Sequence, residues 1–218
     1  MGQLSVGTVE PKLSRSAPPS SHQDLAGAVA ERRALLAEAL DRLQDDADAL
    51  AAVAIRLVET LRAGGKVLVA GNGGSAAEAQ HFAAELVGRF QRERQPYAVV
   101  ALTADMAILT AVANDYGYQE VFARQVGALG CPGDVFLAFS TSGESENLIR
   151  AAEVAHGRGL TVVAVTGEHP SRLAQSADLA LRLPATETAL VQEVHMVVTH
   201  LLCGIVESEL SAEKVAGR

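Results

Sequence analysis

The sequence predicts an α/β fold: a doubly wound, five-stranded parallel sheet flanked by helices, with a helical pair in front of it. Three observations predict it. From residue 66 onward, short apolar runs alternate with segments of helical period. Two of those runs end directly in small-residue turns, "GNGGS" (71–75) and "STSGES" (140–145). Aromatic residues make up only 4% of the 218, with no Trp, while Ala, Leu and Val dominate, which favours helix-rich layers over a β-sandwich. Strands alternating with helices imply right-handed crossovers and a sheet covered on both faces. Ligands of such sheets bind beyond the carboxyl ends of the strands, beside helix N-termini.

Taken in order, residues 1–22 are rich in Ser, Pro and Gly and read as a flexible tail without the apolar centre of a signal peptide. Residues 23–218 read as a single domain, with helices over 23–64 and an α/β core over 65–218. The span 24–63 has apolar residues at helical spacing and no interior Pro, and Gly64–Gly65 stop it. "KVLVAGN" reads as the first strand, and a helix follows from Ser75 to about Phe90. "YAVVAL" (97–102) is the second strand, followed by one or two short helices within 104–129. "DVFLAFS" (134–140) is the third, and "ESENLIRAAEVAHGRG" its helix. "TVVAVTG" (161–167) and "ADLALRLPA" (177–185) complete the sheet, and the last helix runs from about Thr186 to Leu210.

Eighteen basic against 26 acidic residues give a net charge of −8, so neither nucleic acid nor an anionic membrane is an expected partner. No eighteen consecutive residues are all apolar, so no membrane span is expected. Cys131 and Cys203 lie far apart and suggest no disulfide framework, which fits a cytoplasmic location. An anionic substrate would need a local device to hold it.

"STSGES" offers one. Ser140, Thr141, Ser142 and Ser145 place four hydroxyls around Gly143 at a helix start, where hydroxyls and backbone N–H groups bind phosphate without a basic side chain. A single capping residue accounts for one hydroxyl, not four. In "GNGGS", Gly71, Gly73 and Gly74 permit close approach of a ligand, and Ser75 is a natural N-cap; a tight turn that needs glycine is the alternative. His81 and Glu85 lie at i, i+4, with Arg89 continuing the stripe. On the last helix, Gln192 and His200 share one broad face among Val and Leu residues. Two His, one Glu and one Gln suit Zn²⁺ or a similar divalent ion; for any one of them alone, a hydrogen-bonded core residue is the alternative. His195 reads as structural. Asn114 and Asp115 precede Tyr116–Gly117, either as an Asx-type turn or as a sugar-edge carboxylate.

Together, "GNGGSAAEAQHFAAEL", "NDYGYQEVFARQV", "STSGESENLIRAAEVA" and "VQEVHMVVTHLLCGIVE" resemble the phosphoheptose isomerase family, which has the sugar isomerase (SIS) fold. The resemblance spans roughly residues 30–210 in one register. It implies interconversion of sedoheptulose 7-phosphate and a manno-heptose 7-phosphate, by homotetramers whose sites are shared between subunits and many of which bind zinc. Carried over by motif, one metal per site falls on His81, Glu85, Gln192 and His200, the base on Glu85 and the acid on His200. The phosphate falls on Ser140, Thr141, Ser142 and Ser145, and the sugar and active-site edge on Asn72, Gly73, Ser75, Arg89, Asn114, Asp115 and Gln192. The stretch "TETALVQ" departs from the family pattern at Glu187 and Leu190. Related non-enzymatic proteins that bind the replication initiator share the loops but lack the acid at position 85 and the His at 200; this chain has both. Sugar-phosphate-sensing modules fused to DNA-binding domains, and isomerases of other phosphosugars, are further alternatives.

Overall fold

The computed structural model describes residues 22–216; the tail expected over 1–22 lies outside them apart from its last residue. The described residues from Leu36 onward form one compact unit, and those before it belong to another. Helix α1 covers His22–Asp45 and α2 covers Ala47–Arg62. Then follow β1 (Val67–Gly71), α3 (Gly74–Val87), β2 (Val99–Ala101), α4 (Met106–Tyr116), a 3₁₀ turn at Tyr118–Glu120 and α5 (Ala123–Leu129). The chain continues through β3 (Val135–Ser140), α6 (Glu146–Gly157), β4 (Thr161–Thr166), α7 (Arg172–Ser176), β5 (Leu179–Arg182) and α8 (Thr188–Ala216).

The five strands pair in the order β2-β1-β3-β4-β5, all parallel, with Val67–Gly71 of β1 in register with Val135–Phe139 of β3. Every residue of β1 and β3 is buried, as expected for central strands covered on both faces. Alternation along them divides the core. Val67, Val69, Val135, Leu137 and Phe139 pack against α2, α3 and α8. Leu68, Ala70, Phe136 and Ala138 face the other way, onto the layer containing α5 and α6. After β1 the chain moves to one side of the sheet for β2, then returns to the other side for β3. The crevice where strand order reverses therefore lies between the carboxyl ends of β1 and β3, where "GNGGS" and "STSGES" emerge.

Helix α8 is long and apolar enough to cross a membrane by length and composition. Here it forms a wall of the core, and it buries His195, Thr199 and Glu207 on its inner face. Helix α7 was not expected; it is a five-residue helix whose N-cap Ser171 accepts a hydrogen bond from the Ala174 N–H. Strands β2 and β5 are shorter at both ends than the apolar runs suggest.

Candidate active site

Helix α3 carries the first half of the site. Its N-cap is Gly73, at φ 58°, and not Ser75. Ser75 is already inside the first turn and buried, and the N–H groups of Ser75, Ala76 and Ala77 bond the carbonyls of Asn72 and Gly73. The expected free donors at this turn are thus used to start the helix tightly. The helix also ends early, at Val87, so Arg89 lies on the exposed segment beyond it rather than on the His81–Glu85 stripe.

Across the switch point, the loop after β3 folds on its own hydroxyls. Ser140 Oγ accepts from the Gly143 N–H at 3.0 Å and Ser142 Oγ from the Glu144 N–H at 3.2 Å, leaving both O–H groups able to donate. Gly143 sits at φ 65° against Ser171, where a side chain would collide. Ser145 precedes α6 as its N-cap. The two loops are joined by Asn72 and Asn147, which exchange amide hydrogen bonds of 2.9 and 2.8 Å, and Tyr118 donates to Asn72 Oδ1 at 2.9 Å. An open cleft of about 640 Å³ lies here, lined by Asn72, Tyr118, Ser145, Asn147 and Arg150 among others. Asn147, Tyr118 and Arg150 were not singled out by sequence; the Asn two places after Ser145 was the available signal for the first.

The second cluster sits farther along α3. His81 Nε2 and His200 Nε2 are 3.0 Å apart, and Glu85 Oε1 is 3.5 Å from His81 Nε2. One ligand atom from each of the three falls within 4.8 Å of the others. Ligands of a tetrahedral ion at metal–nitrogen distances near 2.0–2.1 Å stand about 3.3 Å apart, so the donor set fits a small divalent cation. On the same helix, two turns before His200, Gln192 lays its carboxamide against Gly74 at the start of α3. Asn114 and Asp115 are exposed in the last turn of α4, joined by an Asn114 Nδ2–Asp115 Oδ1 bond of 2.8 Å, so they form no separate Asx turn.

The SIS-domain family model matches residues 32–167. A phosphoheptose isomerase from Rhodospirillum rubrum is 50% identical over 174 residues, covering 80% of this chain and 93% of that protein. The chain belongs to the phosphoheptose isomerases. Phosphoheptose isomerase structures from Francisella tularensis and Neisseria gonorrhoeae superpose with TM-scores of 0.77 each, at 37% and 40% identity. They cover 87% and 85% of this chain and 99% and 98% of theirs. Where this phosphoheptose isomerase departs from the family pattern, Leu190 is a core residue packed with Val191 and Val194, so its side chain offers the site no polar contact.

His195 Nδ1 lies 2.9 Å from Glu78 Oε2 beneath the α3–α8 seam, consistent with a structural role. Cys203, on the same helix, has its thiol pushed up to about 12, chiefly by burial and then by the negative charge of Glu85, which removes it as a nucleophile.

Proposed function

We propose that this aldose–ketose isomerase interconverts sedoheptulose 7-phosphate and D-glycero-D-manno-heptose 7-phosphate through an enediolate. The observation that carries the proposal is the convergence of His81, Glu85 and His200 on the α3–α8 seam, on a helix that starts at the same sheet edge where the hydroxyl-rich loop emerges. The phosphate is assigned to Ser140, Thr141, Ser142 and Ser145, whose hydroxyls line the loop after β3, and the reacting carbons to the cluster.

In this assignment Glu85 takes the C1 proton of the ketose and returns it at C2. His200 gives a proton to the C2 oxygen and collects one from the C1 oxygen, so protons balance over the cycle. Phosphate binding, remote from those carbons, holds the substrate in line. His81, Glu85, Gln192 and His200 would hold Zn²⁺ or a similar ion; such an ion polarises a carbonyl and stabilises a developing oxyanion. Glu85 and His200 would then alternate between ligation and proton transfer. Asn72 and Gly73 border the sugar directly. Ser75, buried with its N–H on the Asn72 carbonyl, would contribute by fixing the turn that presents Asn72, and Arg89, Asn114 and Asp115 from their exposed positions.

The assembly assigned to the chain is a homotetramer with sites shared between subunits. Exposed Ile55, Val87, Leu201 and Ile205, on the helices around the cluster, support burial by a second copy. A cytoplasmic location, a single domain over 23–218, and the absence of nucleic-acid and membrane partners complete the proposal.

Purified protein incubated with sedoheptulose 7-phosphate, with and without a chelator, tests the reaction. The aldose product is expected, and it should diminish in the chelated sample. Turnover of a different ketose phosphate in place of the heptulose would overturn the substrate assignment.

A further inference from the structure

Glu207 lies on α8 two turns beyond His200 and is 1% exposed. A glutamate is rarely buried so completely unless it is paired. Here both oxygens are fully used. Oε1 accepts from the Phe90 N–H at 3.1 Å and Arg94 Nε at 3.2 Å; Oε2 accepts from the N–H groups of Gln91 at 2.8 Å and Arg92 at 3.0 Å. Three consecutive backbone donors thus close on one carboxylate and fix the path of the chain after α3. Burial alone would drive this carboxyl towards its neutral form, but the backbone donors and Arg94 outweigh burial and hold it below the ordinary carboxylate range.

Arg94 completes the lock. Its side chain is 5% exposed and lies over the Tyr97 ring at 4.2 Å. It donates to the carbonyls of Glu85, Leu86 and Gly88 at 2.9, 2.9 and 3.1 Å, the end of the helix that carries the proposed base. The locked segment also lays Phe90 on His200, with ring centroids 5.5 Å apart and planes inclined by 22°. His81 meets His200 from another side, edge-on at 5.2 Å and 66°. His200 is otherwise exposed, so these two rings are what hold its imidazole in place.

A buried ion pair is a costly way to stabilise a fold, since an apolar pair of similar volume commonly does as well. What this pair supplies beyond packing is a fixed path for residues 88–94 and, through Phe90, a fixed ring at His200. We infer that Glu207 is a positioning residue for the isomerase site, acting through the Arg94-capped segment and the Phe90 ring to hold His200 against His81 and Glu85. It touches neither substrate nor ion. The inference rests on the reading of Glu85 and His200 as the reacting groups.

The test compares Glu207→Gln and Phe90→Leu with wild type in the full-length protein. Three quantities are read: kcat and KM for sedoheptulose 7-phosphate, Zn²⁺ affinity by competition with a chromophoric chelator, and thermal unfolding. Loss of a group that orients ligands commonly costs about 10–100-fold in affinity or activity. Glu207→Gln is expected to lower kcat and Zn²⁺ affinity within that range while KM changes less than threefold, because the phosphate loop is untouched. Phe90→Leu is expected to reproduce part of both losses with little change in unfolding, and the double variant should be no worse than Glu207→Gln alone. Wild-type kcat and Zn²⁺ affinity in folded Glu207→Gln, or fully additive losses in the double variant, would overturn the inference. If Glu207→Gln fails to fold, Phe90→Leu decides: unchanged kcat and Zn²⁺ affinity there refute the proposed route. A wild type that neither isomerises the substrate nor binds Zn²⁺ would overturn the parent reading together with this one.

Discussion

The adjacent glycines 73 and 74 offer a sharp test, because the structure needs each for a different reason. Gly73 has φ 58° and ψ −121°, a sparsely populated conformation, and open space around a built Cβ, so Gly73→Ala should cost about 1–3 kcal/mol of backbone strain and little else. Gly74 has ordinary helical backbone, where Ala gains up to about 1 kcal/mol of helix propensity over Gly. Yet a methyl group at 74 would stand 2.7 Å from Gln192 Cδ and 2.8 Å from its Oε1, with Nε2 nearer still. Normal carbon contacts begin near 3.5 Å, so the carboxamide must retreat by about 1 Å, which a flexible side-chain end does at small cost in stability. Gly74→Ala should therefore unfold within about 1 kcal/mol of wild type, but lose activity to the same extent as Gln192→Ala, roughly 10–100-fold if the carboxamide orients substrate or ion. The double variant should be no worse than either single one. Melting curves and sedoheptulose 7-phosphate turnover on the three variants supply the cycle. If Gly74→Ala keeps full activity while Gln192→Ala is impaired, the carboxamide does not work from its place against Gly74.

Glu85→Gln should lower kcat by about 10²–10⁴-fold with the fold intact, as expected for loss of a general base; near wild-type kcat would remove Glu85 from that role. His81→Ala combined with His200→Ala should abolish stoichiometric divalent-ion binding, and elemental analysis of active wild type without an ion would reduce the cluster to acid–base chemistry. Asp134 is opposed by burial but held below its ordinary value by Lys66 Nζ and the N–H groups of Lys66 and Cys131, so its stabilisation is present above the unfolded carboxyl value and lost as pH falls through the lower folded one. Asp134→Asn should thus cost about 1–3 kcal/mol at neutral pH, with the gap to wild type closing below roughly pH 4 in denaturant titrations; parallel curves at all pH values would contradict this. Because His81, Glu85 and His200 meet within one chain, mixed oligomers of Glu85→Gln and His200→Ala subunits should not regain activity; Glu85→Gln mixed with Asp115→Asn should, if α4 of a neighbour completes the site, and light scattering that finds an active monomer would end the shared-site model.

Sheet and helices were legible because burial on both faces leaves β1 and β3 as unbroken apolar runs, and because α6 keeps a 3.6-residue period. The stripes on α3 and α8 were legible for the same reason: His81 and Glu85 are one turn apart, and Gln192 and His200 share a face. Along that face Gln192 lies against Gly74 and His200 against His81. Ser75 was misread as the N-cap because a serine in that place normally caps, whereas Gly73 can adopt the positive φ that starts the helix two residues earlier.

Least legible was everything that depends on segments meeting late in the chain. Glu207 looks like one more charge on a helix until α8 docks and its carboxylate meets residues 90–94, more than a hundred positions earlier. The same docking brings His200 to His81 and Phe90 to His200. The proposed chemistry thus depends on one packing event, α8 against α3, and the apolar residues that drive it are Phe82 and Leu86 on one helix and Val191, Val194 and Val198 on the other. A cavity opened there, by Phe82→Ala for instance, should cost about 3–5 kcal/mol and loosen the reacting cluster along with the core. A conservative change such as Val198→Ala should separate the two effects: a modest loss of stability with a disproportionate loss of kcat would identify the seam itself as the element that sets the distance between His81 and His200.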